Sequence, residues 1–314
     1  MSERSGSGGN LPPEPIKAVK LRHPWRIVFA VLLIAAFVTF IIDAAGREAY
    51  GWDTVAKYIF DKRISAAALV TLQLTVLAMF FGILLGLAMA MMRMSPNPVV
   101  KAVAWVYLWL FRGTPVYVQL VFWGLFALIY PSVFLGIPFT DAGLTLNMDF
   151  MTNAFIIAVI GLALNEAAYM AEIVRAGLLS VDSGQEEAAV ALGMSWWQTQ
   201  TRVVVPQAMR VIIPPTGNEV ISMLKTTSLV AAVPLTTDLY GVARDISAVT
   251  YTPIPLLIVA SMWYLAFTSI LMVGQFFLER RFSRGVNARA TYKREPAPET
   301  AAVAAVQAHK GGAQ

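Results

Sequence analysis

The chain has 314 residues, of which 57% are hydrophobic and only 14% charged, with mean hydropathy +0.63 and a formal net charge of +5. That apolar share exceeds what one water-soluble core of this length can hide, so the composition is that of a membrane protein. The absence of cysteine excludes disulfides, thiolate metal sites and cysteine nucleophiles, and both histidines, His23 and His309, fall in polar terminal tails and outside the apolar runs.

Residues 1–24 are rich in Gly, Ser, Pro and charge, the composition of a disordered cytoplasmic tail. The uncharged run 27–42, extended by Ala44 and Ala45, approaches the roughly 20 residues that cross a bilayer. A cleaved signal peptide is the rival reading, but the run begins late and its exit from Asp43 to Arg47 is a weak cleavage pattern, so residues 25–63 read as an extra N-terminal transmembrane helix and external connector. Run 64–92 is a second span and carries Gly82-Ile-Leu-Leu-Gly86, a small-xxx-small spacing that admits a close neighbour. After Arg93 comes the breaker Ser95-Pro-Asn-Pro98, and the stretch between Lys101 and Arg112 is too short to cross. Residues 113–140 form a third span. A fourth runs from Phe150 through Asn165, Glu166, Tyr169 and Glu172 to about Arg175, a fifth occupies 213–233, and the last lies in 246–278.

The expectation is an all-α membrane protein of about six helices, a five-helix core at 64–284 plus the extra span, with a second disordered cytoplasmic tail at 285–314. Placing both termini in the cytoplasm puts eighteen of the 24 Lys/Arg inside. Five lie outside, four of them crowded at Arg47, Lys57, Lys62 and Arg63, and Lys225 lies within a span. The basic excess therefore marks cytoplasmic segments, and no nucleic-acid motif accompanies it.

The longest cytoplasmic connection, 176–212, reads as structured. Ser183-Gly-Gln-Glu186 and Ser195-Trp-Trp-Gln198 both have the form of a capping box, and Gly193 stands where a left-handed helix cap belongs. Helix, glycine elbow and helix, with alanines on the first and two tryptophans at the elbow, suit a knob presented to another protein or, alternatively, an amphipathic hairpin on lipid headgroups.

Glu187-Ala-Ala189, three residues, Gly193, nine residues and Val203-Val-Val-Pro206 resemble the EAA-type motif of the membrane subunits of ATP-binding cassette (ABC) importers. Thr71-Leu-Gln-Leu-Thr75, Phe111-Arg-Gly-Thr-Pro115, Ala168-Tyr-Met-Ala-Glu-Ile-Val-Arg175, Gly184-Gln-Glu-Glu-Ala-Ala189, Pro206-Gln-Ala208 and Leu224-Lys-Thr-Thr-Ser-Leu229 are similar to the polar amino-acid permease branch of that family. The resemblance covers about 64–284 and implies a type I importer transmembrane domain in a bacterial inner membrane. It implies that Glu187, Ala188, Ala189, Gly193 and Pro206 couple the chain to a separate ATPase. The implied partners are two ATPase subunits, a second copy or related permease, an extracytoplasmic amino-acid-binding protein and membrane lipid. ATP and Mg would be used by the ATPase, since no Gly-x-x-x-x-Gly-Lys-Ser/Thr cradle is present here. Two departures stand out: Thr226 occupies a position where Asp is common, and Ala176 replaces the first of a usual Gly pair.

Charged groups inside spans need partners or water. Asn218, Ser222 and Lys225 fall at i, i+4 and i+7 on one helical stripe, and Glu219 and Thr226 on the next. Pro214-Pro215 ahead of them suggests a broken helix lining a cavity, or simply a helix start. Asn165, Tyr169 and Glu172 share a stripe, and Glu172 can pair with Arg175 as a structural ion pair. Glu166 has no partner within its own span, and Lys225 is the expected cross-helix one. Glu166, Tyr169, Asn218, Glu219, Ser222, Lys225 and Thr226 are therefore the candidate pathway residues. No catalytic or metal-ligating set is found. An ion-gradient transporter is the alternative, although no convincing internal repeat supports it. An intramembrane hydrolase lacks its nucleophile elbow, histidine and cysteine.

Overall fold

The computed structural model describes residues 24–137 and 143–282. The tails assigned to 1–24 and 285–314 lie outside the described residues, save Pro24, which begins helix α1 (Pro24–Gly46). The described chain divides after Tyr50 into two compact units. The first contains α1, which buries none of its own residues. The second begins at Gly51, so the connector assigned to the first span belongs with the core. Its short helix α2 (Trp52–Tyr58) buries Val55 and Tyr58 in one apolar cluster with Leu239 and Leu256.

Asp61 opens helix α3 (Lys62–Met94), its carboxylate accepting from the Arg63 backbone N–H at 2.8 Å and from the Arg63 guanidinium. The Arg63 side chain beside it holds the Asp61 carboxyl below its usual range. Asn97 caps α4 (Pro98–Gly113), and α5 (Val116–Ile129) follows at an angle of 108°. The third span expected over 113–140 is therefore wrong in both limits. Residues 98–129 form one bent pair, and the chain then leaves the helix for an antiparallel hairpin, β1 (Ser132–Gly136) and β2 (Gly143–Asn147), with Ser132 opposite Asn147. The stretch set aside as too short is the first half of that pair. Thr114-Pro115 explains the bend, because a residue before proline is driven out of the helical region and Thr114 sits at φ −119°, ψ 147°.

Helix α6 (Ala154–Leu179) starts on an Asn153 cap and packs along α3. The cytoplasmic loop contains α7 (Ser183–Ala191) and α8 (Trp196–Thr199), then a wider π turn over Gln200–Val204 leading into α9 (Val205–Thr226). The fifth span was expected at 213–233 with a break at Pro214-Pro215. Instead α9 begins eight residues earlier and passes through both prolines, then tightens into a 3-10 turn over Thr227–Ala232. Two neighbours serve that stretch: the Gln275 amide donates to the Pro214 carbonyl at 2.8 Å, and the Thr216 hydroxyl to the Ile212 carbonyl.

The last expected span, 246–278, merges two elements. Asp238 caps α10 (Leu239–Thr250), and Tyr251 at φ 57° ends it before α11 (Pro253–Phe282). Among the described helices, α1, α3, α6 and α11 are long and apolar enough to cross a membrane, and α4 with α5 makes a fifth candidate. The fifth expected span, now α9, is not among them; it carries Arg210, Asn218, Glu219 and Lys225.

In an apolar solvent helices gain little from hiding apolar surface, so association rests on close packing and satisfied polar groups. Gly86 supplies the first for α3 and α6: a Cβ there would stand 2.6 Å from Met170 Cβ and 3.0 Å from the Ala167 carbonyl oxygen. Thr71 supplies the second, fully buried and accepting the Leu239 N–H at the start of α10 at 3.0 Å. Gly86→Val should cost about 1–3 kcal/mol by overpacking. A lower melting temperature of the detergent-solubilised protein is expected. Gly274→Ala, with nothing within 4 Å, should leave it unchanged or raised.

Candidate functional site

The bend between α4 and α5 creates a polar problem and a polar site at once. Carbonyl groups at the end of α4 have no helical partner, and side chains supply one. Gln119, buried one turn into α5, donates its amide to Phe111 O at 2.9 Å, to Thr114 O at 3.0 Å and to the Thr114 hydroxyl at 2.8 Å. Asn165 on α6 donates to the same Phe111 carbonyl at 3.1 Å and to the Gln119 side-chain oxygen at 3.0 Å. The Tyr107 hydroxyl donates to Leu164 O at 2.6 Å.

Beside this clamp opens a cavity of about 370 Å³ whose wall includes Thr114, Asn165, Glu166, Tyr169, Glu219 and Thr226, with Ser222 among them. Five of the seven candidate pathway residues, Glu166, Tyr169, Glu219, Ser222 and Thr226, thus meet in one place. Glu166 is 4% exposed, its Cγ set against Gly82, and its Oε1 has no hydrogen-bond partner. The expected Glu166–Lys225 pair does not form. Lys225 lines a different cavity of about 580 Å³ with Tyr240 and Tyr264, while Asn218 is exposed and lines neither.

Helical geometry explains the error. At about 100° per residue, Glu219, Ser222, Met223 and Thr226 span one face, and Asn218 and Lys225 lie roughly 100° from its centre. Asn218, Ser222 and Lys225 share a stripe as spaced, but of the three only Ser222 reaches the cavity, and the helix turns its carboxylate and its lysine to different cavities. Thr114 and Pro115 were missed as cavity-lining residues and Gln119 as the clamp beside them; an amide one turn beyond a Thr-Pro break in an uncharged run was the available signal. Nearer the cytoplasmic end of α6, Glu172 and Arg175 form the ion pair at 2.7 Å.

The cytoplasmic loop departs from expectation in its first cap. Asp182, not Ser183, caps α7, its carboxylate accepting from Gly184 N–H at 2.9 Å. Asp182 is an equally favoured cap residue and its charge suits the positive end of the helix. The frame moves by one, and Glu186 instead accepts from the Gln200 amide at 3.4 Å. Ser195 and Gln198 do form a reciprocal capping box at α8. Gly193 at φ 76° ends α7 with Gly193 N donating to Val190 O and Met194 N to Ala189 O, the paired bonds of a Schellman cap. The turn leaves Glu187, Ala188, Leu192, Trp196 and Trp197 exposed, while Ala189 is buried; Pro206 is the second residue of α9, directly after the π turn.

The profile of the family described as binding-protein-dependent transport system inner membrane component matches residues 82–284. Over 273 residues the chain is 56% identical to the arginine transport system permease protein ArgU of Corynebacterium glutamicum, covering 87% of this chain and 85% of that one. It is 35% identical over 227 residues to the histidine/lysine/arginine/ornithine transport system permease protein HisM of Escherichia coli K12, covering 71% and 90%. Among solved structures, the crystal structure of an amino acid ABC transporter with histidines aligns with TM-score 0.57 at 37% identity, covering 70% of this chain and 94% of that chain. An inward-facing structure of the MetNI methionine ABC transporter, at 16% identity and TM-score 0.53, shares the fold. With profile, relatives and fold in agreement, the chain belongs to the inner-membrane permease components of binding-protein-dependent ABC transport systems, multi-pass membrane subunits that are not themselves enzymes.

Proposed function

We propose that this permease carries cationic amino acids of the arginine type inward, as half of a pathway completed by a second copy or a related permease. The observation that carries this reading is the cavity at the elbow, where Glu166 and Glu219 share one wall and no cation lines it. A guanidinium or ammonium group entering there would give the buried Glu166 the hydrogen-bond donor it lacks, and charge-assisted bonds of that kind are the strong ones. Thr114, Ser222 and Thr226 add hydroxyls, and Tyr169 completes the wall. Relatives named for arginine and for histidine, lysine, arginine and ornithine support the same class.

ATP and Mg act in two separate ATPase subunits that dock on the loop carrying Glu187, Ala188, Ala189 and Gly193, with Pro206 starting the helix behind it. That helix, α9, runs unbroken from the loop to Glu219, Ser222 and Thr226, so a displacement of the knob is transmitted to one wall of the cavity. An extracytoplasmic binding protein delivers the amino acid, and lipid surrounds the spans. Asn218 and Lys225, exposed on the far margin of α9, face the second permease or the shared pathway.

Glu166→Gln should reduce ATP-driven arginine uptake by proteoliposomes about tenfold or more, the value of one charged hydrogen bond. Unchanged uptake would remove Glu166 from the site. Gly193→Val places a β-branched residue at positive φ, and Glu187→Lys reverses a charge on the knob. Either change should abolish substrate-stimulated ATP hydrolysis by the assembled complex while membrane insertion persists. Uptake that continues without ATP and without partner subunits would overturn the importer reading itself.

A further inference from the structure

A second opening of about 530 Å³ lies between α3, α4 and α6, and its wall includes Arg93, Trp105, Trp109, Arg112, Tyr169 and Glu172. Arg93 stands one residue from the end of α3, and its Nε is buried without a hydrogen-bond partner. Arg112 lies over the Tyr169 ring at 5.5 Å. Trp105 and Trp109, one turn apart on α4, stack at 6.3 Å with planes 10° apart and are both more than half exposed. The single carboxylate in the wall, Glu172, is already engaged by Arg175 at 2.7 Å. Two guanidinium groups therefore face this opening without a carboxylate of their own.

We propose that this opening holds the phosphate of an anionic phospholipid from the cytoplasmic leaflet. The level is that of the headgroups: α3 ends here, α6 enters its last turns, and the Lys/Arg distribution puts these ends on the cytoplasmic side. A buried guanidinium N–H without an acceptor, as at Arg93, is costly, and phosphate oxygens match guanidinium groups through planar, forked donation. The paired indoles have apolar bodies and polar edges, which suits the boundary between headgroup and acyl chain. Beside them α4 exposes Val99, Val103, Val106 and Leu110, an apolar strip on which acyl chains can lie. Free phosphate would satisfy the arginines but leave the indoles and this strip uncovered. Anionic lipid is also the species that a cytoplasmic surface offers to basic pockets between helices.

The test uses the whole complex, purified with its partner subunits in mild detergent, equilibrated with equal amounts of phosphatidylglycerol and phosphatidylcholine and analysed by native mass spectrometry. Phosphatidylglycerol should be retained in preference to phosphatidylcholine, and Arg93→Gln should weaken that retention about tenfold, one lost charged contact. Arg93→Lys should fall between, and Arg244→Gln, on α10, should change nothing. If Arg93→Gln fails to assemble, Arg112→Gln reads the same contact. Equal retention of both lipids, or displacement of the lipid by inorganic phosphate alone, would overturn the proposal. So would oxidative cross-linking of Trp105→Cys to a second copy in this otherwise cysteine-free chain, which would place protein where lipid is expected. None of these outcomes bears on the amino acid carried.

Discussion

A backbone in hydrocarbon must satisfy its own polar groups, and the bend between α4 and α5 is where this protein meets that demand most visibly. A 108° turn strips carbonyls at the end of α4 of their helical partners. Gln119 and Asn165 replace them, each donating to Phe111 O, and they also bond to each other. A side chain of α5 and one of α6 thereby fix the direction of α5, and two members of the clamp, Thr114 and Asn165, also line the cavity with Glu166 and Glu219. The structural requirement and the candidate site thus meet at Thr114 and Asn165, which serve both.

The same logic runs through the remaining contacts. Close approach of α3 and α6 depends on Gly86, and the neighbouring Gly82 leaves room for the Glu166 side chain. Gln275 reaches across Gly217 to the Pro214 carbonyl, so α11 supports α9 where its prolines interrupt the ladder. Trp263 Nε1 donates to Ile59 O and Thr71 receives the Leu239 N–H, tying the connector, α3, α10 and α11 into one unit. At each point a small or polar residue does what apolar area cannot do in lipid.

Much was legible in the residues. Uncharged runs located α1 and α3, and a largely apolar stretch that admits Glu166 and Glu172 located α6, since a length near 20 apolar residues has few other uses. Local cap chemistry located Gly193 and the Ser195–Gln198 box, both set by residues within a few positions of one another. The first cap slipped by one residue because Asp182 and Ser183 are adjacent and both are competent. Motif spacing carried the family, and the knob-like loop with Glu187 and Ala189 was readable before any coordinates.

What composition and spacing determined was the membrane environment and the helix, glycine cap and helix of the 176–212 loop, because each is written in local chemistry. Tertiary structure alone decided that 98–129 is one bent pair, that Pro214-Pro215 leave α9 whole, and that Glu166 and Lys225 look into different cavities. Those outcomes depend on partners distant in sequence, such as Asn165 for Phe111 and Gln275 for Pro214. They depend also on the rotation of α9, which turns Glu219 and Thr226 toward the cavity with Glu166 and leaves Lys225, roughly 100° around the helix, lining another.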